Sequence, residues 1–405
     1  VTECHVCGGP VREFLDLGLH PLSDNFVTEQ EIRDEFFFRL SVGNCAACSL
    51  VQLGEVVPRQ KMFHDGYPYY SSGSSVMREH FEETAQEFLE TDLTGPGSFV
   101  VEIGCNDGVM LKTIRDAGMR HLGFEPSSKV AETAQAKGVR VTGDFFEEST
   151  ARQVRDNDGP ADVIYAANTI CHIPYLESVF KGVDTLLRPG GIFVFEDPYL
   201  GDVLAKTSFD QIYDEHCFLF SAQSVQAIAD RFGFALVDVR PLSVHGGEIR
   251  YTIARKGERE PSRGAAALLA EERERGLTDL WTLRRFADRV AANRDELVTL
   301  LTRLRSEGRT VVGYGATAKS ATVTNYCGIG PELVSYVCDT THAKQGRLTP
   351  GVHIPVRPAE AFRDPYPDYA LLFAWNHAEE IMAKEEEFCR AGGRWIVYVP
   401  KVRVV

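Results

Sequence analysis

A strand, a tight glycine turn and a helix start occur twice in this chain. The first is Phe99-Val100-Val101-Glu102-Ile103-Gly104-Cys105-Asn106-Asp107-Gly108 and the second is Val311-Val312-Gly313-Tyr314-Gly315-Ala316-Thr317-Ala318-Lys319-Ser320. Such an opening feeds a parallel βα unit, whose sheet must be covered by helices on both faces. Apolar runs at 122–125, 140–141, 162–165, 192–196 and 248–253 extend the first pattern, with helical patterns between most of them. Runs at 333–338, 369–373 and 394–398 extend the second. Between the two blocks, Leu268, Leu269, Leu280, Leu283, Phe286, Val290, Leu297, Leu301 and Leu304 recur at helical spacing. The 405 residues suffice for two or three domains at about 150 residues each. The expected fold is α/β in three parts: a small cysteine-rich domain at 1–65, a doubly wound domain at 66–256 and a Rossmann-like α/β domain at 257–405. Residues 254–263 read as a linker, and there is no internal repeat.

The net charge is −15, from 43 Lys+Arg against 58 Asp+Glu. That balance argues against non-specific nucleic-acid binding and against a polybasic membrane protein. An anionic small molecule is still compatible, because it needs only a local cationic pocket. No apolar run approaches the roughly 18 residues of a membrane span. The opening VTECHVCGGP has no basic segment followed by an apolar one, so no signal peptide is expected and the chain is expected to be cytoplasmic. In a reducing compartment, paired cysteines point to metal before disulfide.

Cys4-His5-Val6-Cys7 and Cys45-Ala46-Ala47-Cys48 are two C-x2-C units separated by 37 residues. Each turns its two sulfurs toward one point, and two units complete a tetrahedral thiolate shell. With Cys4, Cys7, Cys45 and Cys48 as ligands the metal has no open position, so a structural Zn2+ is expected rather than a redox dithiol or an iron–sulfur cluster. His5 is expected to be exposed.

In the first glycine loop, Gly104 and Gly108 allow close backbone approach to a ligand. Glu125 ends the next strand ahead of Pro126, where a carboxylate can accept both hydroxyls of a ribose. Asp144-Phe145 follows the third strand, where an Asp can take an adenine amine and a Phe can stack. Leu187-Arg188-Pro189-Gly190-Gly191 is a turn feeding the fifth strand. This order resembles the class I S-adenosyl-L-methionine-dependent methyltransferases over about residues 97–255. Asn106 stands where the middle glycine of the usual loop would be. A dinucleotide fingerprint would read G-x-G-x-x-G, and this loop does not. The resemblance implies cofactor contacts from Glu102, Gly104, Asn106, Gly108, Glu125, Pro126, Asp144, Phe145 and Asn168.

Two further segments carry titratable groups. Gln211-Ile212-Tyr213-Asp214-Glu215-His216-Cys217-Phe218-Leu219-Phe220-Ser221 follows the fifth strand. Asn168-Thr169-Ile170-Cys171-His172 follows the fourth, at the carboxyl end where open α/β sheets bind ligands. With the Cys4 block and the C-terminal glycine loop, the Tyr-x-Glu-His pattern resembles the sugar-nucleotide C-methyltransferases of deoxysugar biosynthesis in antibiotic pathways. That resemblance implies a dTDP-linked 4-keto deoxysugar as partner and methylation of carbon 3 of a 3-amino-4-keto sugar. Methylation at carbon 5, or on oxygen or nitrogen, are the alternatives. A hydrogen alpha to a ketone is acidic enough for a positioned base. His216 is read as that base and Glu215 as the group that orients it or fixes its protonation state. Tyr213 and His172 are read as donors to the enolate oxygen, or one of them as a proton relay, and the roles of Tyr213 and His216 are exchangeable. The segment from Tyr67 to Met77 reads as either a flexible linker or a substrate wall, and the resemblance implies Tyr67 near the reacting sugar, with Tyr70, Ser72 and Met77 beside it. In the second glycine loop, Ala318 and Lys319 are expected to hold the substrate's diphosphate. The other readings of that loop are an NAD site, since Asp339 lies 24 residues after Gly315, or a unit that only closes the cleft. A monomer is expected.

Overall fold

The computed structural model describes residues 3–62 and 70–405. Three sheets organise the chain. In the first, β1 (Val11–Pro21), β2 (Phe37–Cys45) and β3 (Val51–Leu53) run antiparallel. The second is built on β4 (Phe99–Ile103), β5 (Arg120–Phe124), β6 (Val141–Thr142), β7 (Ala161–Ala167) and β8 (Leu187–Pro198), all parallel. The next strand, β9 (Phe218–Leu219), leaves that sheet and pairs with β3 as the fourth strand of the first one, Val51 opposite Leu219. The chain then returns as a hairpin, β10 (Phe234–Leu242) and β11 (Glu248–Arg255), with β11 antiparallel to β8. The central order is therefore β10-β11-β8-β7-β4-β5-β6.

The third sheet comprises β12 (Val311–Tyr314), β13 (Val337–Asp339), β14 (Val356–Pro358), β15 (Tyr369–Leu372), β16 (Arg394–Val397) and β17 (Arg403–Val404). Its order is β14-β13-β12-β15-β16-β17, parallel except for β17. In each large sheet the strand order reverses beside the first strand, at β4/β7 and at β12/β15. Open sheets form a ligand crevice at such a point, outside the strands' carboxyl ends.

The helical periodicity reads out as two helices, Arg263–Glu274 and Leu280–Ser306. The second buries Leu283, Phe286, Val290, Asn293, Leu297, Leu301 and Leu304 along one stripe, each apolar side chain contributing about 1.5–3 kcal/mol. The expected linker at 254–263 is largely anchored: Ser262 donates its N–H to Val237 O (2.7 Å) and caps the following helix. The expected turn at 187–191 lies within β8, as an excursion between the Ala161–Leu187 and Val163–Ile192 register points.

The helix Ser75–Thr91 is pinned to the central sheet by a buried ion network. Glu196 accepts from His80 Nε2 (2.6 Å) and Arg250 Nε (2.5 Å), and Arg250 also reaches Glu87 (2.8 Å). Burial raises the Glu196 pKa, and these two partners more than offset it, so the carboxylate lies below its usual range. Among the described residues no helix is long and apolar enough to cross a membrane.

His20 is 2% exposed and donates Nε2–H to Leu17 O (3.1 Å). Burial lowers its pKa to about 4. Below about pH 6.5 the unfolded chain takes up a proton that the folded chain refuses until about pH 4, so folding stability should fall by on the order of 2–3 kcal/mol across that window. Denaturant unfolding between pH 7 and 4 should show this loss, and it should be smaller in His20→Gln.

Candidate active site

The four N-terminal cysteine sulfurs lie within 4.8 Å of one another. Cys4–Cys48 and Cys7–Cys48 are 3.6 Å apart and Cys7–Cys45 is 3.4 Å apart. A disulfide needs about 2.05 Å, whereas the edge of a tetrahedron with Zn–S bonds of about 2.3 Å is about 3.8 Å. The amides of Gly9 and Ala47 donate to the Cys7 and Cys45 sulfurs (both 3.4 Å), as fits thiolate ligands. His5 is exposed, and its ring stays outside the cluster.

The crevices of the two large sheets open into one cavity of about 700 Å³. On the central side, Gly104 has φ +70°, and a Cβ there would collide with the Thr169 side chain. Asn106, at φ +50°, takes the same left-handed turn that glycine would, which Asn tolerates best among non-glycine residues. Its amide donates to Glu125 Oε2 (3.1 Å), and its side-chain oxygen accepts from the Ser71 amide (2.9 Å). Glu125 also accepts from the Ser127 amide (2.8 Å), and burial raises its pKa. Glu102 is 4% exposed at the cavity floor, and its Oε2 has no hydrogen-bond partner among the described residues. An orphaned buried carboxyl and a turn open only to glycine fit a polar ligand laid across the loop, and the carboxylate acceptors suit the amine and hydroxyls of S-adenosylmethionine.

Pro126, Asp144, Phe145 and Asn168 also line the cavity. Asp144 accepts from Thr142 Oγ1 (2.5 Å). One face of Phe145 is taken by the Arg59 guanidinium, 4.2 Å from the ring centroid. Gly108 lies behind the wall, opening the helix Val109–Asp116 in the left-handed conformation.

At the mouth of this site stand Tyr213, Glu215, His216 and His172, all lining the cavity. Tyr213 Oη and His216 Nε2 are 2.8 Å apart, and the two rings lie 4.1 Å apart. His216 Nδ1 is 2.7 Å from the Gln211 carbonyl oxygen. That carbonyl can only accept, so Nδ1 carries the proton of the neutral ring. Nε2 therefore holds a lone pair, and the Tyr213 hydroxyl donates to it. His172 stacks on His216 at 5.2 Å and 25°. Burial lowers the His172 pKa to about 4 and holds that of His216 well below its usual value, with neighbouring His172 adding to the effect. Both imidazoles are neutral at pH 7. The Gln211 carbonyl holds the His216 ring through Nδ1. The chain doubles back after the turn Phe209–Gln211, which sets that carbonyl against Nδ1. Glu215 itself is buried and lines the cavity.

Tyr70 and Met77 line the cavity from the segment preceding the central sheet, and Tyr67 lies outside the described residues. Ser72 is not in the wall: its amide donates to Asp107 Oδ1 (3.3 Å), while the flanking Ser71 and Ser74 face the cavity. On the opposite wall are Ala318 and Lys319, together with Thr317, Asp339 and Lys344. Lys319 and Lys344 are the two lysine or arginine side chains among the lining residues. Lys344 is bonded to Asp24 Oδ1 (3.0 Å) and Ala316 O (2.9 Å). Lys319 Nζ lies 5.1 Å from the Trp375 ring centroid and 3.5 Å from His245 O. Asp24, Lys344, His245 and His377 were not singled out from sequence, because each sits in a loop with no local motif.

Three family models match the chain in succession: a putative zinc binding domain at 4–63, a methyltransferase domain at 77–239 and a C-methyltransferase C-terminal domain at 243–400. C-methyltransferase NovU of Streptomyces niveus is 35% identical over 410 aligned positions, covering 100% of this chain and 97% of that protein. The chain belongs to this C-methyltransferase family. It is an S-adenosylmethionine-dependent C-methyltransferase, and its four-cysteine cluster is a structural zinc site. The ubiquinone biosynthesis O-methyltransferase of Escherichia coli (strain K12 / DH10B) is 26% identical over 103 residues, 24% of this chain and 42% of that protein. Magnesium protoporphyrin IX methyltransferase from Synechocystis PCC 6803, solved with bound SAM, is 14% identical with a TM-score of 0.34, covering 44% of this chain and 79% of that one.

Glu125→Gln should weaken S-adenosylhomocysteine binding about 10- to 100-fold by calorimetry, as for loss of a charged hydrogen-bond partner. Cys48→Ser should lower the zinc content and the melting temperature together, measured by metal analysis and calorimetry.

Proposed function

We propose that this C-methyltransferase removes a proton from carbon 3, alpha to the 4-ketone of a dTDP-linked (3-amino-)4-keto deoxysugar, and methylates the enolate. The observation that carries this reading is the Tyr213–His216 pair, 2.8 Å apart, with Nε2 holding a lone pair at the mouth of the cofactor cavity. Transfer to an oxygen or nitrogen starts from an existing lone pair, so a base there has only an O–H or N–H proton to take and need not be suited to a C–H acid. Transfer to carbon needs a base that is, because a C–H bond must first be broken.

S-adenosylmethionine, when bound, supplies a methyl group on a positively charged sulfur. Glu102, Gly104, Asn106, Glu125 and Asn168 would hold it against the central sheet. His216 Nε2 takes the alpha proton, and the electron pair of that C–H bond passes into the enolate. The hydroxyl of Tyr213, freed from Nε2 as the ring is protonated, turns to donate to the enolate oxygen, with His172 beside it. Donors aimed at developing charge in a buried site act most strongly in the transition state. In the exchanged assignment Tyr213 takes the substrate proton as its own passes to Nε2. These groups would hold the enolate carbon towards the methyl that the bound cofactor supplies. On the far wall Lys319, with Lys344 near it, would face the diphosphate. A fixed distance between these lysines and His216 would select the carbon presented to the base.

With S-adenosylmethionine carrying a carbon-13 methyl, a panel of dTDP-4-keto deoxysugars and heavy water, NMR should show the methyl on carbon 3 and deuterium entering beside the ketone. His216→Asn should lower the deuterium incorporation by about 10²–10⁴-fold, as for loss of a general base. A methyl on oxygen or nitrogen would sink the enolate reading, and unchanged exchange in His216→Asn would sink the assignment of the base. A methyl on carbon 5 would keep the base and move the site of reaction.

A further inference from the structure

The Tyr213–His216 pair stands on a turn that the C-terminal sheet supports. Asp210, in the turn Phe209–Gln211, is fully buried. Its Oδ2 accepts from Trp375 Nε1 (2.6 Å) and from the Tyr398 hydroxyl (2.6 Å). Trp375 opens the turn Trp375–His377 after β15, and Tyr398 directly follows β16. The next residue is Gln211, whose carbonyl fixes His216 Nδ1–H (2.7 Å) and whose side chain donates to His245 O (3.2 Å). One peptide unit thus separates a carboxylate held by the C-terminal sheet from the carbonyl that sets the tautomer of the base. Thr322, on the helix Ala318–Cys327, adds a second hold, donating to Ile212 O (2.8 Å).

We propose that Asp210 is a positioning residue for His216, acting through Trp375 and Tyr398, so that seating of the C-terminal sheet sets the tautomer and aim of the base. This rests on the reading of His216 as the base. An apolar contact would attach the turn to the sheet equally well, and a buried carboxylate is costly to keep. What the carboxylate adds is direction: two donors converge on one oxygen and fix the rotation of the turn. Its other oxygen, Oδ1, has no hydrogen-bond partner among the described residues. Lys319 is the neighbouring cation that favours the ionised form against burial.

The test uses the full zinc-loaded enzyme with Trp375→Phe and Tyr398→Phe, singly and together. S-adenosylhomocysteine affinity and the acceptor KM should stay at wild-type values. Deuterium incorporation beside the ketone and kcat should fall together, by about 10²-fold in the double variant, the cost of a misplaced catalytic group. In a His216→Asn background the same pair should cost nothing further, because no base is left to misplace. Should the double variant unfold, Tyr398→Phe alone, which removes one hydroxyl and keeps the ring, carries the same comparison. Wild-type incorporation in the Phe variants, a loss confined to KM, or an additive loss on His216→Asn would each overturn the proposal. If His216→Asn itself retains wild-type exchange, the base reading fails, and this proposal fails with it. Normal Phe variants beside an inactive His216→Asn overturn this proposal alone.

Discussion

The segment between Phe209 and Phe220 is held from three directions at once, and the cavity depends on that suspension. Asp210 is tied to Trp375 and Tyr398 of the third sheet. Asp214 accepts from the Ser23 amide (3.0 Å) next to the first sheet. β9 then completes the first sheet against β3, while Phe220 O accepts from the Leu200 amide (2.8 Å) of the central part. Buried carboxylates are kept where each accepts strong hydrogen bonds, and here both flank Tyr213 and His216. A loop so short, fixed at both sides, leaves its side chains little freedom.

The cavity is polarised. Its floor against the central sheet carries Glu102 and Glu125, both in surroundings that raise their pKa. Glu248 is buried too, with its pKa raised by burial, and burial pushes Asp197 up to about 8. The opposite wall carries Lys319 and Lys344. The −15 net charge of the chain says nothing of this, because the two lysines are placed by turns at a sheet's carboxyl edge.

Much of this was legible beforehand, for definite reasons. The βα openings at Phe99 and Val311 encode their own turns, and the C-x2-C pairs encode their own cluster, because each depends on residues close in sequence. The strands of the first sheet were not legible, nor was β10: antiparallel strands with one solvated face carry weaker patterns than buried parallel ones, and β10 includes Pro241. Asp210 and Asp214 were not singled out from the sequence. Their partners Trp375, Tyr398 and Ser23 lie far off along the chain, so no local spacing announces them. The hold of the Gln211 backbone carbonyl on His216 was not legible either, because it follows from the path of the turn and not from a side-chain pattern.

The crossing of β9 into the first sheet has a consequence for how such an enzyme can change. Two residues of the central part complete a sheet that the N-terminal residues begin, immediately after the residues read as catalytic. Removing the first sixty residues would therefore leave β9 without its neighbour and expose an unpaired backbone edge. Neither piece is a free-standing module, despite three separate family matches along the chain. Exchange of one part between relatives would have to carry the β3–β9 contact and the Ser23–Asp214 bond along with it, so substrate range is more readily altered by replacing side chains on the cavity walls than by recombining whole units.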